Sequence, residues 1–206
     1  MTSLQQILAY KIVAIIRGAN PPDVIKIANA LYKGGIKLLE VTLNSPDALL
    51  LIEQLSFEMK GKILIGAGTV LDSANAKAAI SAGAAFIISP TFDEETIQIT
   101  KRYGGVSIPG AYSPTEVYKA HKYGGDIIKV FPALSASYIK DLLAPLPQIP
   151  LMPTGGVNLQ NIKDYQRVGA VAYGIGSALV DTKQKITEGY LQSLTEKARL
   201  FVEAIS

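Results

Sequence analysis

A chain of 206 residues, 49% hydrophobic and 18% charged, is long enough for one domain with a sizeable buried core and too apolar to be disordered. With no cysteine it can have neither a disulfide framework nor a thiolate metal site, and a reducing compartment is permitted. The net charge of +3 is scattered, which leaves no basic stripe for nucleic acid. The opening residues lack a basic and then apolar signal-peptide pattern, and no apolar run approaches the ~18 residues of a membrane helix.

Taken in chain order, an N-terminal helix precedes a first apolar, β-branched run over 12–17, which reads as a strand. Pro21-Pro22-Asp23 opens a helix over 24–32, closed at Gly34-Gly35. The second strand covers 38–43. Ser45 is then the candidate N-cap and Pro46 the first position of a helix reaching residue 55. Further strands fall at 63–66, 85–89, 106–109, 126–131, 151–154 and 171–175. The intervening helices start at Asp72, Asp93, Ser113-Pro114, Ser135 and Asn158. Gly83, Gly104-Gly105, Gly124-Gly125 and Gly169 stand where left-handed helix caps belong, and a long amphipathic helix occupies 186–205.

Eight strands at intervals of about 23 residues, alternating with helices, indicate α/β architecture with a parallel sheet. Eight units are the number that closes a (β/α)₈ TIM barrel. The expectation is a single barrel domain over 1–206, with the N-terminal helix and a long C-terminal helix added. A doubly wound open sheet is the competing arrangement. The stretch Gly66-Ala67-Gly68-Thr69-Val70-Leu71 breaks the dinucleotide fingerprint at its third glycine, which counts against it.

The most informative residue is Lys129, in the middle of Asp126-Ile127-Ile128-Lys129-Val130-Phe131-Pro132. A strand buried on both faces reads as a continuous apolar run, so a cation there must be paired or held partly neutral. A neutral amine in an apolar site is a nucleophile for ketones. Period-two alternation puts Leu39, Val41 and Leu43 toward the helices and Glu40 and Thr42 inward. In strand six it turns Ile128 and Val130 outward and Ile127, Lys129 and Phe131 inward. Glu40 and Lys129 then meet across the barrel, as a structural ion pair or as a nucleophilic amine with a carboxylate proton shuttle. Their place near the catalytic rim favours the second.

Other strand ends are equally polar. Arg17 closes strand one and suits a substrate carboxylate or phosphate. Thr69, Pro90, Pro109-Gly110 and Phe131 follow. Thr154-Gly155-Gly156 and Gly174-Ile175-Gly176-Ser177 form the two final loops, the usual phosphate site of such barrels. Tyr112 could line a pocket or simply pack. The lone His121, between Lys119 and Lys122, reads as a solvated surface residue, and no histidine cluster for metal catalysis exists.

These residues lie in motifs that, in order, resemble the 2-keto-3-deoxy-6-phosphogluconate / 4-hydroxy-2-oxoglutarate (KDPG/KHG) aldolase family over essentially the whole chain. The motifs are Leu39-Glu40-Val41-Thr42-Leu43, Gly66 to Leu71, Ile88-Ser89-Pro90 and Ile108-Pro109-Gly110. They continue with Lys129-Val130-Phe131-Pro132-Ala133, Pro153-Thr154-Gly155-Gly156-Val157 and Gly176-Ser177-Ala178-Leu179. The resemblance implies a class I aldolase, needing no metal or other cofactor, that cleaves a 2-keto-4-hydroxy acid, typically phosphorylated, to pyruvate and an aldehyde. It makes Lys129 the Schiff-base lysine and Glu40 the general acid/base. Arg17 and Thr69 then match the pyruvate side, Pro90 and Phe131 the pocket walls, and Thr154, Gly155, Gly156, Gly176 and Ser177 the phosphate end. It further implies a cytoplasmic homotrimer, with no nucleic-acid or membrane partner.

One position departs from the pattern: Asn44 stands where some members carry a carboxylate-binding arginine. The carboxylate then depends on Arg17, Thr69 and backbone donors. Gluconate and galactonate stereochemistry, and phosphorylated and unphosphorylated substrates, all stay open. So do an epimerase-type barrel enzyme without an imine and a non-catalytic barrel that binds phosphorylated metabolites.

Overall fold

A computed structural model describes residues Met1–Ser206. Every predicted strand is present and every neighbouring pair runs parallel, as βα repetition requires. One sheet has six strands, β1 (Ile12–Ile16), β2 (Leu38–Thr42), β3 (Leu64–Gly68), β4 (Phe86–Ile88), β5 (Val106–Ile108) and β9 (Tyr173–Ile175), in the order β5-β4-β3-β2-β1-β9. A second piece has three, β6 (Gly110–Ala111), β7 (Ile128–Val130) and β8 (Leu151–Pro153). The result is a curled parallel sheet.

The pieces meet at two seams. Pro109, which has no N–H to give to a ladder, ends the predicted fifth strand (106–109) as β5 and separates it from β6, which lies beyond the predicted range. The carbonyls of Ser107 and Pro109 nevertheless accept the N–H groups of Asp126 and Lys129, at 2.8 and 2.9 Å. At the other seam Val171 N–H donates to the Leu151 carbonyl, and Thr154 bridges to Gly174.

The helices form a layer on the outside. Asp72, Asp93, Ser113 and Ser135 cap α4 (Ser73–Ser81), α5 (Glu94–Arg102), α6 (Pro114–Lys122) and α7 (Ala136–Leu143) as expected. Each side chain accepts a backbone N–H, worth about 1 kcal/mol per cap. Two predicted starts are corrected. Helix α3 (Ala48–Glu58) begins after a left-handed Asp47, and Ser45 caps nothing. Its hydroxyl instead accepts Gly18 N–H at 2.8 Å and contacts Thr42 Oγ1 at 2.9 Å. Helix α8 (Ile162–Arg167) starts after Asn161 rather than at Asn158, because a turn held by Asn158 and Asn161 intervenes. Gly35, Gly83, Gly104, Gly124 and Gly169 have the positive φ anticipated at helix ends.

Two apolar clusters separate along the alternation of the strands. Ala14, Leu39, Val41, Ile128 and Val130 pack outward against the helices. Val13, Leu38, Phe86, Ile88, Ile108, Ile127 and Met152 fill the interior together with Ile7 from α1 (Ser3–Tyr10), which is fully buried. Ile7 and Leu4 thus cover the N-terminal ends of the strands. Helix α9 (Glu188–Ala204) returns beside α2 (Pro21–Lys33), where a Cβ at Gly34 would lie 2.5 Å from that of Ala198. The interior is therefore plugged below, and polar groups gather only at the C-terminal strand ends.

Candidate active site

Glu40 and Lys129 stand two residues further along their strands than Leu38 and Ile127, on the same inward face, so they lie directly above the apolar plug. Glu40 is completely buried, and both carboxylate oxygens lack a hydrogen-bond partner in the protein. Lys129 is 3% exposed, and its ammonium is not within salt-bridge distance of any carboxylate. The structural ion pair weighed from the sequence is therefore not formed. A buried, unpartnered carboxylate costs several kcal/mol and is retained only where something else requires it.

The electrostatics follow from the burial. Desolvation pushes the Glu40 carboxyl above the ordinary carboxylate range, opposed by the positive charges of Lys129 and Arg17. Desolvation pushes the Lys129 amine down; Glu40 opposes that fall and Arg17 adds to it. Both groups are moved toward their neutral forms, which suits an amine that must attack and an acid that must give up its proton near neutral pH.

Room for the Glu40 side chain comes from β3. Gly66 pairs with Glu40 in the ladder, and a Cβ there would overlap the Phe86 ring. One pleat further on, a Cβ at Gly68 would overlap the Glu40 carboxylate. Gly68→Ala is expected to destabilise the fold by about 1–3 kcal/mol through overpacking, read as a lower urea midpoint. An unchanged midpoint would mean that Glu40 has space to swing aside. Immediately after Gly68, Thr69 takes φ +56°, an outlier for a β-branched residue that costs about 1–3 kcal/mol and is typical of functional sites.

A cavity of about 660 Å³ opens at this end, within the usual size range of small-molecule sites. Among the predicted residues, Lys129, Arg17, Phe131, Thr154, Gly155, Gly156, Gly176 and Ser177 all line it. Glu40, fully buried, is not among its lining residues. Thr69 and Pro90 are half-buried and not among its lining residues. Phe131 follows β7 and is 42% exposed, with its ring centroid 5.2 Å from the Lys129 ammonium. The Gly155 and Gly156 backbones take φ +84° and +78°. Their N–H groups, and that of Ser177, donate to no other group of the protein. Such unpaired donors suit an anion.

Arg17 is exposed and lines the same cavity, and its charge reaches both Glu40 and Lys129. Asn44 is exposed in the β2–α3 loop and does not line the cavity. Tyr112 is 38% exposed, stacks on Tyr138 at 5.1 Å and is likewise not a lining residue. His121 is corrected: it is half-buried with an unpartnered Nδ1, because α6 turns it inward. No three histidine or carboxylate side chains gather as a metal site.

Sequence reasoning missed the far wall. Asp181, Thr182 and Lys183 also line the cavity, in the 176–187 stretch between β9 and α9. The available signal was its length, well above the usual ~4–6 residues of a connection.

A family model described as KDPG and KHG aldolase matches residues 4–196. A probable 2-dehydro-3-deoxy-6-phosphogalactonate aldolase of Rhizobium meliloti is 34% identical over 171 residues, covering 82% of this chain and 81% of that protein. A KHG/KDPG aldolase of Escherichia coli is 32% identical over 206 residues, covering 98% and 96%. The crystal structure of KDPG aldolase from Legionella pneumophila with pyruvate captured as a covalent carbinolamine intermediate matches with a TM-score of 0.80 at 29% identity, over 99% of this chain and 97% of that one.

Proposed function

The chain belongs to the KDPG and KHG aldolase family, whose members are lyases, and from that premise we propose that it is a class I aldolase with Lys129 as Schiff-base nucleophile and Glu40 as proton shuttle. Its substrates are 2-keto-3-deoxy-6-phosphogluconate, cleaved to pyruvate and glyceraldehyde 3-phosphate, and 4-hydroxy-2-oxoglutarate, cleaved to pyruvate and glyoxylate. The observation that carries this reading is the buried, unbonded Glu40 carboxylate beside an unpaired buried Lys129 at the strand ends. The carbinolamine in the Legionella pneumophila relative supports it.

In chemical terms, the neutral Lys129 amine attacks the C2 ketone. Glu40, as an acid, gives its proton to the departing hydroxyl, and water leaves to form the iminium. Glu40, now a carboxylate, takes the C4 hydroxyl proton. The C3–C4 bond breaks, its electrons neutralise the iminium as an enamine, and the aldehyde departs. Glu40 returns the proton to C3, and hydrolysis releases pyruvate and the amine. Arg17 and Thr69 hold the pyruvate carboxylate, Pro90 and Phe131 flank the chain, and Thr154, Gly155, Gly156, Gly176 and Ser177 take the distal group.

A second substrate reading is 2-keto-3-deoxy-6-phosphogalactonate, favoured by the 34% identity to the Rhizobium meliloti protein. The curled sheet closes as the eight-unit barrel, a reading supported by the hydrogen bonds at both seams. The protein works as a cytoplasmic homotrimer; exposed Leu50, Phe57 and Leu71 offer apolar contact area. No helix is long and apolar enough to cross a membrane.

Incubation with pyruvate and cyanoborohydride, followed by peptide mass spectrometry, is expected to place a reduced pyruvate adduct on Lys129. Because burial pushes the amine pKa down, trapping should reach half its maximal rate below pH ~10.4, the value of a free lysine. An adduct on another lysine, or none, would end the class I reading.

A further inference from the structure

We propose that Lys183 is a specificity residue of this site, its ammonium holding the distal phosphate of the substrate. The inference rests on the aldolase reading above. The wall of the cavity that Lys183 shares with Ser177, Gly155 and Gly156 already offers three unpaired backbone N–H groups. Backbone dipoles alone leave a doubly charged phosphate incompletely neutralised, and a point charge with three rotatable donors complements them.

Lys183 is kept available for this task. Its ammonium forms no salt bridge. Asp181, the acid nearest in the loop, accepts Lys183 N–H on Oδ1 at 3.2 Å and the Gln184 side chain on Oδ2 at 2.9 Å, and it feels the Lys183 charge through space without forming an ion pair with it. The same residue is tied by its backbone to the Tyr190 hydroxyl on α9, which both donates and accepts at 3.1 Å. Thr182 Oγ1 donates to the Arg17 carbonyl at 2.7 Å. The loop is thus fastened to the end of β1 through Thr182 and to α9 through Asp181, with Lys183 immediately following both fastenings. Lys185, two residues on, is exposed and does not line the cavity.

The remaining cations of the cavity are committed elsewhere. Lys129 is the nucleophile, and the charge of Arg17 acts on both Lys129 and Glu40, near the reacting end. Lys183 is the cation left for the distal end, and it serves substrates that carry a phosphate there.

The test compares Lys183→Met, Lys183→Arg and Lys185→Met with the unaltered protein on three reactions. These are cleavage of 2-keto-3-deoxy-6-phosphogluconate, cleavage of the same acid without its phosphate, and pyruvate trapping at Lys129. For Lys183→Met the expected result is a KM for the phosphorylated acid raised about tenfold to a hundredfold with kcat kept. The unphosphorylated acid and the trapping rate should be unchanged, and Lys183→Arg should recover most of the loss. The proposal is overturned if KM for the phosphorylated acid does not move, if both acids lose equally, or if Lys185→Met has the same effect, which would mark a bulk charge effect. Failure of the unaltered protein to trap pyruvate on Lys129 would instead bring down the aldolase reading and this inference with it.

Discussion

Lys129→Met is expected to abolish aldol cleavage and pyruvate trapping while the protein still folds. Without the amine no iminium forms, so the C3–C4 electrons have no sink. Loss of a covalent nucleophile costs about 10⁶-fold elsewhere, which here means no turnover above background. The fold should tolerate the change because methionine matches the lysine stem and the Lys129 side chain makes no hydrogen bond or salt bridge that would be lost. Removing a buried unpaired polar group is worth about 1–3 kcal/mol, and about 2–4 °C of Tm follows each kcal/mol in a domain this size.

The pH dependence of that gain has a definite direction. Lys129 is one of the two charges that favour the ionised form of Glu40, so its loss lets the Glu40 pKa rise further. A carboxyl raised in the folded state contributes stability in full below its unfolded pKa, about 4.3, and loses it as pH climbs through the folded value. The Tm advantage of Lys129→Met should therefore be largest in mild acid and shrink as pH rises. Scanning calorimetry across that range, together with a turnover assay, checks both halves. Residual cleavage at a tenth of the normal rate would place the nucleophile elsewhere.

Glu40→Gln is expected to slow cleavage by about 10²–10⁴, the usual contribution of a positioned acid/base, without preventing the adduct. The carboxamide has nearly the shape of the carboxylate and fits the space left by Gly68, so geometry is kept while proton transfer is lost. Lys129 still attacks, so mass spectrometry should find the pyruvate adduct at Lys129, formed more slowly. The informative measurement is single-turnover kinetics, in which adduct formation and C–C cleavage are followed separately. If both run near normal, Glu40 only fills the space above Gly68.

The separation between the two residues explains why these predictions differ in kind. Had Glu40 and Lys129 formed a tight salt bridge, removing either would leave a stranded buried charge and cost about 3–5 kcal/mol. They influence each other through the field but share no contact, so each can be replaced by a neutral isostere with the chemistry, rather than the fold, taking the damage.

Much of this was legible from residues alone. Period-two alternation assigned Glu40 and Lys129 to the inward face and Leu39, Val41, Ile128 and Val130 to the helices, because a pleated strand offers a side chain only two directions. Asp72, Asp93, Ser113 and Ser135 announced their helices because each cap is a local bond to a backbone N–H three residues on. The inward lysine among apolar neighbours points to imine chemistry from the strand pattern alone.

Other features depend on groups far apart in the chain. Ser45 looks like a cap locally, yet its hydroxyl is claimed by Gly18, 27 residues earlier. Gly68 is only one glycine of a broken fingerprint in the sequence, and the Glu40 carboxylate beside it gives the reason a side chain is excluded there. Lys183 resembles any polar loop lysine until Thr182 bonds to the Arg17 carbonyl, 165 positions away, and brings the loop onto the cavity. The sequence by itself determined which strand faces carry the chemistry, since alternation and capping are short-range. Only the tertiary structure decided that Glu40 and Lys129 stay unpaired and which loop completes the cavity wall, since those outcomes turn on distances between distant segments that no local pattern encodes.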